Sequence, residues 1–187
     1  MFIATEQTPN PASLKFLPGC EVMTRGTAQF SNRDETGPSP LAKRLFQVAG
    51  VAGVFLGRDF VTVTKSEEQP WEALKPVIMG VIMEHFMNGL PVIEGEADDI
   101  PQHKSTAGEH DGDIVVQIKE LLDTRIRPAV AMDGGDITFE GFENGVVYLQ
   151  MRGACAGCPS STMTLKSGIE NLLKHFIPEV TEVRAVN

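Results

Sequence analysis

A chain of 187 residues, 42% hydrophobic and 22% charged, has the make-up of a folded protein with room for one large domain or two small ones. Its formal net charge of −9 argues against nucleic acid or an anionic membrane surface as partner, since both reward basic faces. No run approaches the roughly eighteen apolar residues of a membrane span.

Residues 12–17 read as an extended segment ended by the turn pair Pro18-Gly19, and a second extended piece follows at 27–30. Ser39-Pro40 then announces a helix, with Ser39 as N-cap and Pro40 in the first helical position. Leu41, Leu45, Phe46 and Ala49 give it an apolar face, and Gly50 ends it. Residues 51–56 and 59–64 are β-branched and aromatic runs around Gly57-Arg58, a hairpin signal. Residues 68–86 carry Trp71, Leu74, Ile78, Ile82 and Phe86 at helical spacing, with Pro76 predicting a kink or break. Asn88-Gly89 and Pro91 close this module, residues 1–89, in the order β-β-α-β-β-α.

Residues 90–112 form an acidic linker. Between Leu90 and Gly112, Glu94, Glu96, Asp98, Asp99, Glu109 and Asp111 stand against Lys104 alone, a pattern that repels itself and predicts an extended tether between independently moving modules. The second module, residues 113–187, opens on a helix with Ile114, Ile118, Leu121 and Leu122 on one face, ended or bent near Pro128. Strands at 136–142 and 146–151 flank Asn144-Gly145, a helix runs from Pro159 to about Phe176, and a last strand leads from Pro178 through Ala185. The order α-β-β-α-β completes an α+β protein of two small layered domains.

The run Arg152-Gly153-Ala154-Cys155-Ala156-Gly157-Cys158-Pro159-Ser160-Ser161 holds two of the three cysteines, after a strand and before a helix. With Cys158 as N-cap, free N–H groups and the positive helix end favour thiolate, the form that binds metal or attacks a disulfide. The small Ala154, Ala156 and Gly157 leave room for backbone amides to reach a bulky ligand. Three readings follow from the residues: a metal–sulfur cluster shared by two chains, a dithiol–disulfide redox site, and a zinc site completed by a partner. One pair supplies half of a tetrahedral ligand set, so the first and third readings require a second copy.

Other residues take plainer roles. Cys20 is an incidental thiol, and Asp133-Gly134-Gly135-Asp136 reads as a turn into a strand, with orientation of the cysteine loop as the alternative. Arg152 either balances a cluster's negative charge or ends a strand in solvent. The four histidines, His85, His103, His110 and His175, show no ligand spacing; Trp71 belongs to a core and Lys166 to a surface. Ser160 and Ser161 lack a nucleophile's partners. The opening residues lack the basic region of a signal peptide and the Arg-rich character of a mitochondrial presequence, and an odd count of three cysteines builds no secreted disulfide framework. The expected compartment is the cytoplasm of a bacterium, with the mitochondrial matrix as the alternative.

The second module resembles the NifU-like C-terminal domain of the Nfu family. The matching strings are Arg127-Pro128, Asp133-Gly134-Gly135-Asp136, Gly153 through Ser161, Thr164-Leu165-Lys166, Gly168-Ile169-Glu170 and Pro178-Glu179-Val180. The first module is similar to the N-terminal Nfu domain, through Thr8-Pro9-Asn10-Pro11, Ser13-Leu14-Lys15-Phe16, Pro18-Gly19, Ser39-Pro40-Leu41-Ala42 and residues 59–65. The resemblance implies an iron–sulfur cluster scaffold or carrier with no turnover of its own. It implies a [4Fe–4S] cluster bound between two subunits of a homodimer by Cys155 and Cys158 of each chain, and passed to recipient apo-proteins. The first module would recognise a recipient or an upstream assembly protein.

Overall fold

The computed structural model describes residues 1–95, 112–156 and 159–186, with the backbone alone for 159–162. The chain divides into two units, Met1–Pro101 and Gln102–Asn187, each built on its own sheet.

In the first unit, strands β1 (Ala4–Gln7), β2 (Ser13–Leu17), β3 (Ala28–Phe30), β4 (Val51–Leu56) and β5 (Val61–Lys65) form an antiparallel sheet in the order β1-β2-β5-β4-β3. The pairing sets Leu14, Val63 and Val54 in one row, and Phe16, Val61 and Leu56 in another. Alternation puts these rows on one face, where Leu41, Ala42 and Leu45 of helix α1 (Pro40–Leu45) and Leu74, Ile78 and Ile82 of helix α2 (Trp71–Met87) close the core. The row between them, Lys15, Thr62 and Phe55, takes the other face. There Lys15 Nζ bonds Glu6 at 3.1 Å and sits 4.9 Å from the centre of the Phe60 ring.

Strand β1 was not expected. Its Thr5, Glu6 and Gln7 carry no apolar alternation, and the segment becomes a strand only because β2 offers it an edge. Ser39 caps α1 as expected, its Oγ accepting from the Ala42 amide at 3.1 Å. Helix α1 ends at Leu45, earlier than its apolar pattern suggests, with Phe46 as C-cap. Helix α2 starts at Trp71 because Pro70, in extended backbone, occupies the N-cap. It then runs through Pro76 without a break. The burial of Leu74, Ile78 and Ile82, about 1.5–3 kcal/mol each, outweighs the roughly 3 kcal/mol that an internal proline costs. Trp71 is only half-buried: it packs 6.5 Å from Phe16, and its Nε1 donates to the Pro11 carbonyl.

Of the acidic segment 90–112, residues 90–95 lie on the first unit. Ser39 Oγ donates to the Val92 carbonyl at 2.7 Å and the Glu94 amide to Pro38 at 2.7 Å, while Val92 and Ile93 pack on the core. The expectation of an extended tether falls mainly on 96–111, outside the described residues.

The second unit opens on α3 (Gly112–Leu121), which continues through a π-helical turn (Leu122–Ile126) into α4 (Arg127–Met132). Pro128 does not end this helix. The Arg127 amide reaches back five residues to Leu122, and that wider turn takes the helix past the missing proline donor. Strands β6 (Gly135–Glu143) and β7 (Val146–Gly153) form the hairpin promised by Asn144-Gly145, whose φ values of 51° and 79° fit the tight turn. Helix α5 (Pro159–Phe176) crosses to β8 (Glu182–Val186), which lies parallel to β7. β8 begins later than Pro178 because residues 177–180 form a turn that closes the helix. Ile118, Leu122, Ile126 and Val130 meet Ile137, Leu149, Ile169 and Leu173 in one core. No described helix is long and apolar enough to cross a membrane.

Candidate metal centre

Cys155 stands two residues beyond β7. Gly153, at φ 67°, turns the chain out of the strand; the Ala154 amide then bonds the Gly134 carbonyl at 3.2 Å and the Ala156 amide the Gly153 carbonyl at 3.1 Å. Two amides expected to face a ligand are thus engaged in shaping the loop. The loop seats Cys155 at 6% exposure on the edge of the second unit's core. Cys158 lies outside the described residues, as do its expected N-cap geometry and the side chains of Ser160 and Ser161. Helix α5 begins at the next residue, Pro159.

Gly135 provides the floor beneath the sulfur. A Cβ at this position would stand 2.6 Å from Cys155 Sγ and 2.7 Å from the Arg152 carbonyl oxygen. The four-residue string 133–136 does more than turn the chain: Asp133 and Gly134 make the turn, and Gly135 keeps space open for the thiol.

The next residue, Asp136, is buried and held by a two-bond fork from Arg127, Nε to Oδ1 at 2.8 Å and Nη2 to Oδ2 at 2.9 Å. Arg127 Nη1 also donates to Asp123 at 3.0 Å, one helical turn back. The Asp136 hydrogen bonds, with a further contribution from Asp123, raise the guanidinium pKa above its ordinary value despite its burial. Arg127 and Asp136 were visible in the sequence only as matching strings; Asp123 carried no signal there.

The remaining residues divide. Arg152 turns both Nε and Nη2 onto Gln150 Oε1, a neutral partner on its own strand. Cys20 is half-buried in the first unit, where burial raises its thiol pKa. His85 is fully buried there, and His175 stacks edge-on against Phe176. Lys166 is half-buried rather than exposed. His103 and His110 fall outside the described residues. Among the described residues, no three His, Cys, Asp or Glu side chains gather as a metal site.

A family model for the scaffold protein Nfu/NifU N-terminal domain matches residues 3–89, and one for the NifU-like domain matches 118–184. A human protein named NFU1 iron-sulfur cluster scaffold homolog, mitochondrial, is 49% identical over all 187 residues, which span 72% of its length. The protein of the same name from Drosophila erecta is 53% identical, and the chain spans 65% of its length. The solution structure of a NifU-like protein from Saccharomyces cerevisiae shares 30% identity with a TM-score of 0.47, covering 51% of this chain and 87% of that one. The chain belongs to the Nfu/NifU-like family.

The relatives correct one expectation. They are named as mitochondrial proteins, which points to the mitochondrion and overturns the bacterial cytoplasm. Cysteine count and the opening residues misled because neither distinguishes these compartments in a chain that spans only part of its relatives.

Proposed function

We propose that this protein is an iron–sulfur cluster scaffold that hands its cargo to apo-proteins, a binding and transfer protein rather than a catalyst with turnover. The observation that carries the reading is the seat of Cys155: a buried thiol held over Gly135 in the loop between β7 and α5, with Cys158 following in the same sequence motif. The relatives' printed names supply the cargo.

The finer reading is a [4Fe–4S] cluster bound between two copies by Cys155 and Cys158 of each. Such a cluster takes four thiolates, and this motif offers two per chain. Transfer then proceeds by ligand exchange. A recipient thiol loses its proton to solvent, its sulfur forms a bond to iron, and the iron–sulfur bond to Cys155 or Cys158 breaks, with no change in oxidation state. Residues 1–89 act as a recognition module for donor or recipient, and residues 113–187 hold the cluster.

The test is anaerobic reconstitution with iron and sulfide, followed by metal, sulfide and mass analysis on one sizing run. About four irons and four sulfides per dimer, with a broad visible band, are expected. A colourless monomer active in disulfide exchange would sink the proposal in favour of a redox dithiol. A zinc-bridged dimer that takes up no iron would replace it with a structural metal site.

A further inference from the structure

We infer that Arg127 and Asp136 are positioning residues for the Cys155 sulfur, acting through Gly135. The inference deepens the proposed function and rests on Cys155 being a cluster ligand.

The sulfur lies so close over Gly135 that no larger residue fits without displacing it, because an added methyl would meet Sγ at 2.6 Å. The position of the thiol therefore follows the position of the Gly135 backbone. That backbone is held from two sides. On one, Gly135 pairs with Gly153, and the Gly134 carbonyl accepts from the Ala154 amide, so floor and cysteine loop are joined directly. On the other, Asp136 is fixed by the two-bond fork from Arg127.

Arg127 is itself aimed from behind. The π-helical turn inserts one residue just before it, which rotates the following helix by about 100° relative to an unbroken α-helix. Asp123 then holds its third nitrogen. A flexible ammonium would neutralise Asp136 but could not supply this planar two-point grip. The arrangement is more than a stabilising ion pair because its nearest consequence is at the thiol: strand residue 136 is adjacent to Gly135, over which the sulfur sits. A metal ligand must be directed to within about 0.5 Å, and such precision comes from a locked supporting shell.

The test uses the full chain without cluster, so that it does not depend on the cargo. Asp136→Asn, Gly135→Ala and Arg127→Lys are compared with the parent chain for the rate of Cys155 alkylation by iodoacetamide at one pH, quantified by peptide mass. Cys20, in the other unit, is the internal reference. Asp136→Asn and Gly135→Ala are expected to alkylate Cys155 about tenfold faster, with Cys20 unchanged and Arg127→Lys intermediate. After anaerobic reconstitution, the same two variants should lose iron to a chelator faster and show an altered visible circular dichroism. Rates at Cys155 within about twofold of the parent for both variants, despite a lowered unfolding midpoint, would overturn the inference and leave a structural ion pair. So would an equal rise at Cys155 in Gly145→Ala, which loosens the second unit at the opposite end of the β6–β7 hairpin. Faster alkylation in a chain that binds no cluster keeps the seat and removes the proposed cargo, so the two failures are distinguishable.

Discussion

His85 Nε2 stands 3.1 Å from the carbonyl oxygen of Pro91, and the ring is completely enclosed. A carbonyl only accepts, so Nε2 carries the hydrogen. Nδ1 is then bare, buried and unpartnered among the described residues. This fixes the neutral tautomer and pins the start of the segment that leaves the first unit. Burial is the main force lowering the pKa of the ring; the Arg44 charge adds to it, and the Pro91 carbonyl opposes it.

A pH dependence follows. A histidine whose folded pKa is depressed stabilises the fold fully above its unfolded pKa of about 6.5, and that stability is lost as pH falls toward the folded value. Urea unfolding of the first unit should therefore have a lower midpoint at pH 5.5 than at 7.5, with a slope of up to about 1.4 kcal/mol per pH unit from this one group. His85→Gln should flatten that part of the profile. An unchanged slope in the variant would assign the dependence to other groups.

Removing the Arg127 side chain strands the buried Asp136 carboxylate. Arg127→Ala should destabilise the second unit by about 2–3 kcal/mol, short of the 3–5 of a wholly buried pair because the arginine is partly exposed. Denaturant unfolding followed by second-unit signals measures it. A loss below about 0.5 kcal/mol, as for a surface bridge, would contradict the burial assigned to this pair.

Gly145 is needed for two reasons at once. Its φ of 79° is unfavourable for an L side chain, and a Cβ there would stand 2.7 Å from Thr181 Oγ1 and 3.0 Å from the Glu179 carbonyl oxygen. The Gly145 carbonyl also accepts from the Thr181 amide, tying the hairpin to the approach to β8. Gly145→Ala should cost about 2–4 kcal/mol, the sum of backbone strain and overpacking. A shift in melting temperature too small for even 1 kcal/mol would show that the turn relaxes freely.

Cys155→Ser and Cys158→Ser should each abolish uptake of a full cluster while the chain stays folded. The first variant loses about 1–2 kcal/mol because a hydroxyl replaces a buried thiol. Far-ultraviolet circular dichroism and iron analysis after reconstitution separate the two effects. A folded variant with full iron content would remove that cysteine from the ligand set.

Local chemistry alone determined much of this protein. Ser39-Pro40 at a helix start, Asn144-Gly145 at a hairpin and the apolar spacing of α5 are decided within a few residues, by caps, positive φ and periodicity. The cysteine pair and its flanking small residues stand out in the sequence as an expectation of thiolate chemistry, because residue type and spacing are local. Tertiary structure decided the rest. β1 is a strand only because β2 presents an edge, and helices run on through Pro76 and Pro128 because burial outweighs local preference. The closeness of Gly135 to Cys155, twenty positions away, and the grip of Arg127 on Asp136 depend on strand pairing and on a π-helical turn. Local propensity carries no information about which backbone will lie under a given sulfur; that is set when non-local pairing brings β6 beside β7.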